Sequence, residues 1–269
     1  MYSTEVIVAS RAARAAGTVI QAFEQENKKL NIGFKGKNDL VTDADLAAEK
    51  EIITTIKETF PGDQFLAEES HSSQVLTDAR TWIIDPIDGT TNFSHGYPAF
   101  CVSIALWENK AAKVGVILDV SRDELFVAEE GGGAFVNDIP IQVSSLEEPQ
   151  NALILTSFPS PRVGFINEYM DLFCNLMEET QGPRRPGSAA YDQICLASGR
   201  CDGYYVYGLS PWDLAAGGLI IREAGGIVTD WTGGDNWLFG QRLIAGNNII
   251  HQFLKNKLHE FIPGEYLTS

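Results

Sequence analysis

Residues 85–92 read Asp85-Pro86-Ile87-Asp88-Gly89-Thr90-Thr91-Asn92, two carboxylates three positions apart followed by a glycine and two hydroxyls. They come directly after the apolar stretch Trp82-Ile83-Ile84. Such a layout delivers acidic oxygens at the end of a strand. Pro86 keeps the chain from continuing as helix, and Gly89 lets bare backbone N–H groups approach an anion. Hard divalent cations such as Mg²⁺ take oxygen ligands of this kind and usually share them with a substrate phosphate. Aspartates flanking a proline are poor strand formers, which favours metal ligation over a simple turn. The segment therefore predicts phosphate chemistry.

Charge sharpens that expectation. The chain of 269 residues has a formal net charge of −16, which repels nucleic acid, anionic membranes and phosphate esters alike. A phosphate site here needs local positive charge, and carboxylates gathered around two or more divalent cations would supply it by inverting the local potential. No nucleic-acid partner is expected. Neither is a membrane one, because no run of about 18 apolar residues occurs. Glu5, Arg11 and Arg14 also interrupt the N-terminal apolar residues where a signal peptide carries an unbroken core. The expectation is a soluble, cytoplasmic protein. Cys101, Cys174, Cys195 and Cys201 form no CxxC pair and no zinc-like spacing, so they read as reduced thiols.

The acidic residues need a frame. Periodicity predicts a helix over 4–25 with Ala9, Ala13, Ala16, Ile20 and Phe23 on its packing face. A second is predicted over 43–60 with Leu46, Ile53, Ile56 and Phe60 inward and Pro61-Gly62 as its stop. Between 100 and 143, extended runs at 101–107, 113–120, 124–128 and 134–143 alternate with turn signals, as in an antiparallel meander. Beyond about residue 148, short strands at 152–156, 203–207, 226–229 and 242–245 interleave with helices near 165–180, 188–199, 211–224 and 248–261. The fold class expected is layered α+β and α/β, an αβαβα sandwich. An α+β half over 1–147 would pack closely on an α/β half over 148–269.

Three more segments carry acids beside structural signals. Thr42 and Asp45 fit a capping box, so that Asp45 read alone satisfies helix N–H groups. Glu68-Glu69 ends the run Phe65-Leu66-Ala67, which read alone is a solvated strand end. Ser210-Pro211-Trp212-Asp213 is an N-cap serine, an N1 proline and an N3 acid, and capping accounts for it when read alone. What gives them weight is their joint occurrence, since strand ends and helix starts can meet at one edge of a layered fold.

Together these segments resemble the inositol monophosphatase family of Mg²⁺-dependent, lithium-sensitive phosphatases, over nearly the whole chain. The strongest matches are Trp82 through Asn92 and Pro211-Trp212-Asp213-Leu214-Ala215-Ala216-Gly217 followed by Glu223-Ala224-Gly225-Gly226. Supporting stretches are Lys35 through Thr42, Ala67-Glu68-Glu69-Ser70, Gly131 through Asn137 and Gly187-Ser188-Ala189-Ala190. The resemblance implies two to three Mg²⁺ ions per site. Glu68, Asp85 and the Ile87 carbonyl would hold one ion, and Asp85, Asp88 and Asp213 a second, with Asp85 bridging. Glu68 would also reach a third, weaker ion. Asp45 and the Thr90 hydroxyl would act with Glu68 on the attacking water. Gly89 and Thr90 N–H groups, with Asp88 and Asp213, would surround the phosphate. Lys35 and Arg184 match basic residues near substrate, and Gly187, Ser188 and Ala189 would line an open substrate wall. A homodimer is implied as well.

The residues agree with that chemistry on their own terms. The motifs contain no Cys/His or Ser/His nucleophile pair, which leaves water activated by bound metal as the attacking group. The expected activity is hydrolysis of a small phosphorylated polyol or sugar. One position departs from the pattern. Val206 stands where inositol-specific relatives usually present a glutamate, and a sugar hydroxyl facing valine would lose a partner worth about 1 kcal/mol or more. Other substrates of the superfamily therefore stay open: fructose 1,6-bisphosphate, histidinol phosphate, adenosine 3′,5′-bisphosphate or NADP. Two rival readings remain: an aspartyl-phosphate mechanism with Asp43 of Asp43-Ala44-Asp45 as nucleophile, and a non-catalytic regulatory binding protein on the same fold.

Overall fold

The computed structural model describes residues 3–25, 32–36, 39–73, 75–159 and 162–268, with the backbone alone at 32, 34–36, 39 and 40. Helix α1 (Thr4–Gln25) buries an alanine-rich stripe, Ala9, Ala12, Ala13 and Ala16, together with Ile20. Strands β1 (Ile32–Gly36) and β2 (Asp39–Thr42) form an antiparallel hairpin leading into α2 (Asp43–Lys57). The buried face of α2 is Ala44, Ala48, Ile52 and Ile56. This corrects the face expected from the sequence, because Leu46 is 52% exposed. Helix α2 packs along the alanine stripe of α1. Two small-residue faces let the helices approach closely, so the contact runs through Ala44 and Ala48 and turns the bulkier Leu46 outward.

Next come β3 (Gln64–Ala67), β4 (Thr81–Asp88), the short helix α3 (Thr90–Ser94), β5 (Cys101–Glu108), β6 (Ala111–Asp119), β7 (Glu124–Glu129), β8 (Gly133–Val136) and β9 (Ile139–Pro140). These strands form a seven-stranded sheet in that order. It is antiparallel except for the β3–β4 pair. Within 134–143 the turn signal Asn137-Asp138 separates β8 from β9: both residues take left-handed conformations, φ 45° and 65°, and turn the chain.

The remainder alternates: β10 (Ile154–Thr156), α4 (Ile166–Glu179), β11 (Pro183–Arg184), α5 (Ala189–Ala197), β12 (Gly203–Tyr207), α6 (Pro211–Glu223), β13 (Ile227–Thr229), β14 (Arg242–Gly246), α7 (Asn248–Phe261) and α8 (Gly264–Leu267). Its five-stranded sheet has the order β11-β10-β12-β14-β13.

Three apolar cores bind five layers. Ile20, Ile52 and Ile56 of α1 and α2 pack on Ile84, Ile104 and Val116 of the large sheet. Helices α5 and α6 lie between the sheets, where Leu196, Leu214 and Ile220 join Ile83, Phe126, Tyr204 and Val206. Leu172 of α4 and Leu254 of α7 cover Ile154, Tyr205 and Ile244 on the far side. The result is the αβαβα sandwich expected. At Gly115 of β6 a Cβ would lie 2.6 Å from the Ala216 carbonyl oxygen, so glycine is what lets α6 settle onto the sheet. No helix among the described residues is long and apolar enough to cross a membrane.

Candidate active site

Side chains alternate faces along a strand, so residues 85 and 88 would normally point to opposite sides of β4. A bulge prevents this. Asp85 pairs with Ser103 and Asp88 with Cys101, three steps on β4 against two on β5. The shift lies between them, where Pro86 has no N–H to offer the ladder. Ile87 consequently joins Ile84 in the core under α1 and α2, while Asp88 returns to the side of Asp85, facing α5 and α6. The Asp85 carboxylate accepts the Ile87 N–H at 3.1 Å. Asp88 Oδ2 accepts the Ser188 hydroxyl at 2.6 Å and the Ala190 N–H at the start of α5.

Asp213 arrives from the first turn of α6, where its Oδ2 accepts the Ser210 N–H at 2.7 Å. Ligand oxygens of Asp85, Asp88 and Asp213 all lie within 4.8 Å of one another. Asp45 comes from the first turn of α2. Its Oδ2 accepts the Thr42 N–H at 2.7 Å and hydroxyl at 2.6 Å, completing the capping box, while its Oδ1 accepts the Thr90 hydroxyl at 3.1 Å. Capping and site geometry thus coexist in both aspartates: each accepts an N-cap N–H at a helix start, while Asp45 also accepts the Thr90 hydroxyl and Asp213 also lies in the carboxylate cluster. Glu68 directly follows β3, with its N–H on the Ile84 carbonyl at 3.1 Å.

Burial lifts Asp85 well above the usual carboxylate range, and Glu68, Asp88 and Asp213 push it further. Asp88 is raised to about 6, chiefly by burial, against the opposing bonds from Ser188 and Ala190. Burial and then Asp88 raise Asp213, and burial raises Asp45. The charges that raise these groups are carboxylates. A buried, mutually repelling set of oxygen donors is what hard divalent cations stabilise, so these residues fit Mg²⁺.

The other predicted residues fall as follows. The Ile87 carbonyl accepts the Thr90 hydroxyl at 3.1 Å. Gly89 has φ +99°, and a Cβ there would meet the Ala99 carbonyl oxygen at 3.0 Å and Ser188 Cβ at 3.1 Å. Ser188 and Ala189 are buried at the start of α5, and Gly187 sits against Asn92. Arg184 is exposed on β11 and donates to the Gly182 and Pro183 carbonyls. The Lys35 side chain lies outside the described residues. Val206, read from sequence as facing a sugar hydroxyl, is 1% exposed inside the core between the sheets. Two residues escaped the motif reading. Glu49, 3% exposed, accepts the Glu69 N–H at 2.8 Å, and its place one turn beyond Asp45 on α2 was the available signal. Gln193 joins α5 to α6 and carries no motif at all.

Alternating layers with a carboxylate cluster at the edge where strand and helix ends meet describe the layered α/β phosphatases. The chain belongs to the inositol monophosphatase family, whose profile matches residues 2–263. That membership supports a phosphatase of this superfamily, a Mg²⁺-dependent one. Among curated relatives, Nus factor SuhB of Pasteurella multocida (strain Pm70) is 38% identical over 259 residues, 96% of this chain and 97% of its own. Among solved structures, the extragenic suppressor protein suhB of Bartonella henselae superposes with a TM-score of 0.90 at 39% identity, covering 97% of this chain and 100% of that one. The inositol monophosphatase of Anabaena (Nostoc) sp. PCC 7120 does so with a TM-score of 0.81 at 38% identity, covering 97% and 98%.

Proposed function

We propose that the protein is a Mg²⁺-dependent phosphomonoester hydrolase that cleaves a small phosphorylated polyol or sugar by direct attack of water. The observation that carries this reading is the convergence of Asp85, Asp88 and Asp213, from a bulged strand and a helix start far apart in sequence, to within 4.8 Å. Glu68, Asp85, the Ile87 carbonyl, Asp88 and Asp213 would hold two to three ions. Bound there, the ions would neutralise phosphate charge and bring a water toward hydroxide. The chain's own part is positioning. Asp45 and Thr90, joined at 3.1 Å, orient the water and receive its proton on the carboxylate. Gly89, left-handed at φ +99° where a Cβ would strike Ala99 and Ser188, permits the turn whose backbone N–H groups at 89 and 90 would hold the phosphate. Lys35 and Arg184 are proposed as basic contacts at the substrate entrance, beside the wall of Gly187, Ser188 and Ala189.

Val206 lies in the core between the sheets, so the preferred polyol or sugar is decided by the ester panel below rather than by that position. Asp43 is exposed at the start of α2 and is not one of the three clustered carboxylates, which favours direct water attack over an aspartyl-phosphate route. A homodimer is inferred from the family and is checked by sizing in solution. The name of the Pasteurella relative, Nus factor, favours a second role as a binding protein, which intact carboxylates leave compatible with hydrolysis. The deciding experiment is phosphate release from a panel of phosphoesters with and without Mg²⁺, for the parent and for Asp213→Asn. Mg²⁺-dependent release that the variant loses supports the proposal; no release from any ester in excess Mg²⁺ overturns it.

A further inference from the structure

Gln193 is wholly buried on α5, at 0% exposure. Its Nε2 donates to the Ala189 carbonyl at 2.9 Å and to the Asp213 carbonyl at 2.7 Å. Ala189 belongs to the turn whose Ser188 hydroxyl and Ala190 N–H hold Asp88. Asp213 is itself the neighbouring carboxylate. One amide therefore ties the turn that grips Asp88 to the residue that presents Asp213. The fit is tight, since a Cβ on Gly217 would lie 2.4 Å from Gln193 Oε1 and 2.6 Å from Gln193 Cβ. The amide orientation is also fixed: turned over, Oε1 would face two carbonyl oxygens. Oε1 itself has no partner, and a buried acceptor without one is destabilising. Leucine would fill the same space without that cost, but without the donor.

We infer that Gln193 is a positioning residue that sets the spacing of Asp88 and Asp213, and through it the affinity of the site for divalent metal. This rests on the metal-site reading above. Partners that orient ligands alter metal affinity by about 10- to 100-fold when removed.

The test is direct Mn²⁺ binding, by calorimetric titration and by competition with Mg²⁺, on the parent, Gln193→Leu, Gly217→Ala and Asp213→Asn. Gln193→Leu should weaken Mn²⁺ binding about tenfold or more while its melting temperature in EDTA stays equal or rises. Its Mg²⁺ concentration for half-maximal phosphate release should climb, with the rate at saturating Mg²⁺ largely restored. A merely structural glutamine would show the reverse, a lowered melting temperature with unchanged Mn²⁺ affinity. Gly217→Ala perturbs the same contact from α6, by forcing a Cβ against the Gln193 side chain, and should weaken Mn²⁺ binding too. If Asp213→Asn abolishes binding while Gln193→Leu and Gly217→Ala stay within about twofold of the parent, this inference alone falls. If the parent binds no Mn²⁺, the metal-site reading falls and takes the inference with it.

Discussion

Replacing Asp88 by asparagine should stabilise the metal-free protein even as it destroys activity. In the fold Asp88 is raised from 3.8 to about 6, mainly by burial and further by Glu68. A carboxyl whose pKa is higher folded than unfolded contributes stability that is complete below the unfolded value and is lost as the pH rises through the folded one. Above about pH 7 the parent has lost all of it: a little over two pKa steps at about 1.36 kcal/mol each, or about 3 kcal/mol. Asparagine carries no charge. Its Oδ1 can accept the same bonds from Ser188 and Ala190, and its Nδ2 can turn toward Asp85 and Asp213. At about 2 °C per kcal/mol for a chain of this size, the melting temperature in EDTA near pH 7.5 should rise by about 6 °C. The gain should shrink toward about pH 5, where the parent's carboxyl is protonated. In excess Mg²⁺ the order should reverse, because ligation stabilises the parent more. Thermal melts across pH, with EDTA and with Mg²⁺, test each part. A variant that melts at or below the parent in EDTA near neutral pH, or a difference that does not change with pH, would refute the reasoning.

Thr90→Val removes the hydroxyl that bridges Asp45 and the Ile87 carbonyl; the rate at saturating Mg²⁺ should fall about 100-fold or more, whereas Thr90→Ser should retain most of it. Gly89→Ala forces a side chain into φ +99° and against the Ala99 carbonyl, so urea unfolding should show a loss of about 1–3 kcal/mol together with lost activity. His251, 6% exposed and bonded to Thr229 at 2.8 Å, is pushed down to about 4 by burial and by Lys255. Its contribution is present above about pH 6.5 and is lost as the pH falls through about 4. About 3 kcal/mol of acid sensitivity is therefore expected in urea titrations of the parent, and His251→Gln should flatten it.

The order of elements and the three aspartates that cluster were legible because both rest on local signals. Caps, prolines and glycines mark the helix starts at Asp43 and Pro211, and an acidic pair beside a proline marks the end of β4. What sequence could not supply were facts of packing. Of the face expected for α2, Ile53, Ile56 and Phe60 do pack on the core, but Leu46 turns outward because an alanine-faced neighbour selects Ala44 and Ala48. The bulge in β4 was invisible too, although without it Asp85 and Asp88 would face opposite layers. Val206 looked like a substrate contact by position, yet its strand turns it into the core between the sheets. Gln193 gave no sign because its role depends on α5 and α6 lying side by side.

The double duty of Asp45 and Asp213 bears on how lineages of this scaffold can be judged. Each begins a helix with one oxygen, so a descendant that abandoned hydrolysis would still be selected to keep both, simply in order to fold. Asp85 begins no helix; it accepts the Ile87 N–H within its own turn, while burial beside other carboxylates opposes its charge. Its survival, rather than theirs, is the more telling mark of a working enzyme.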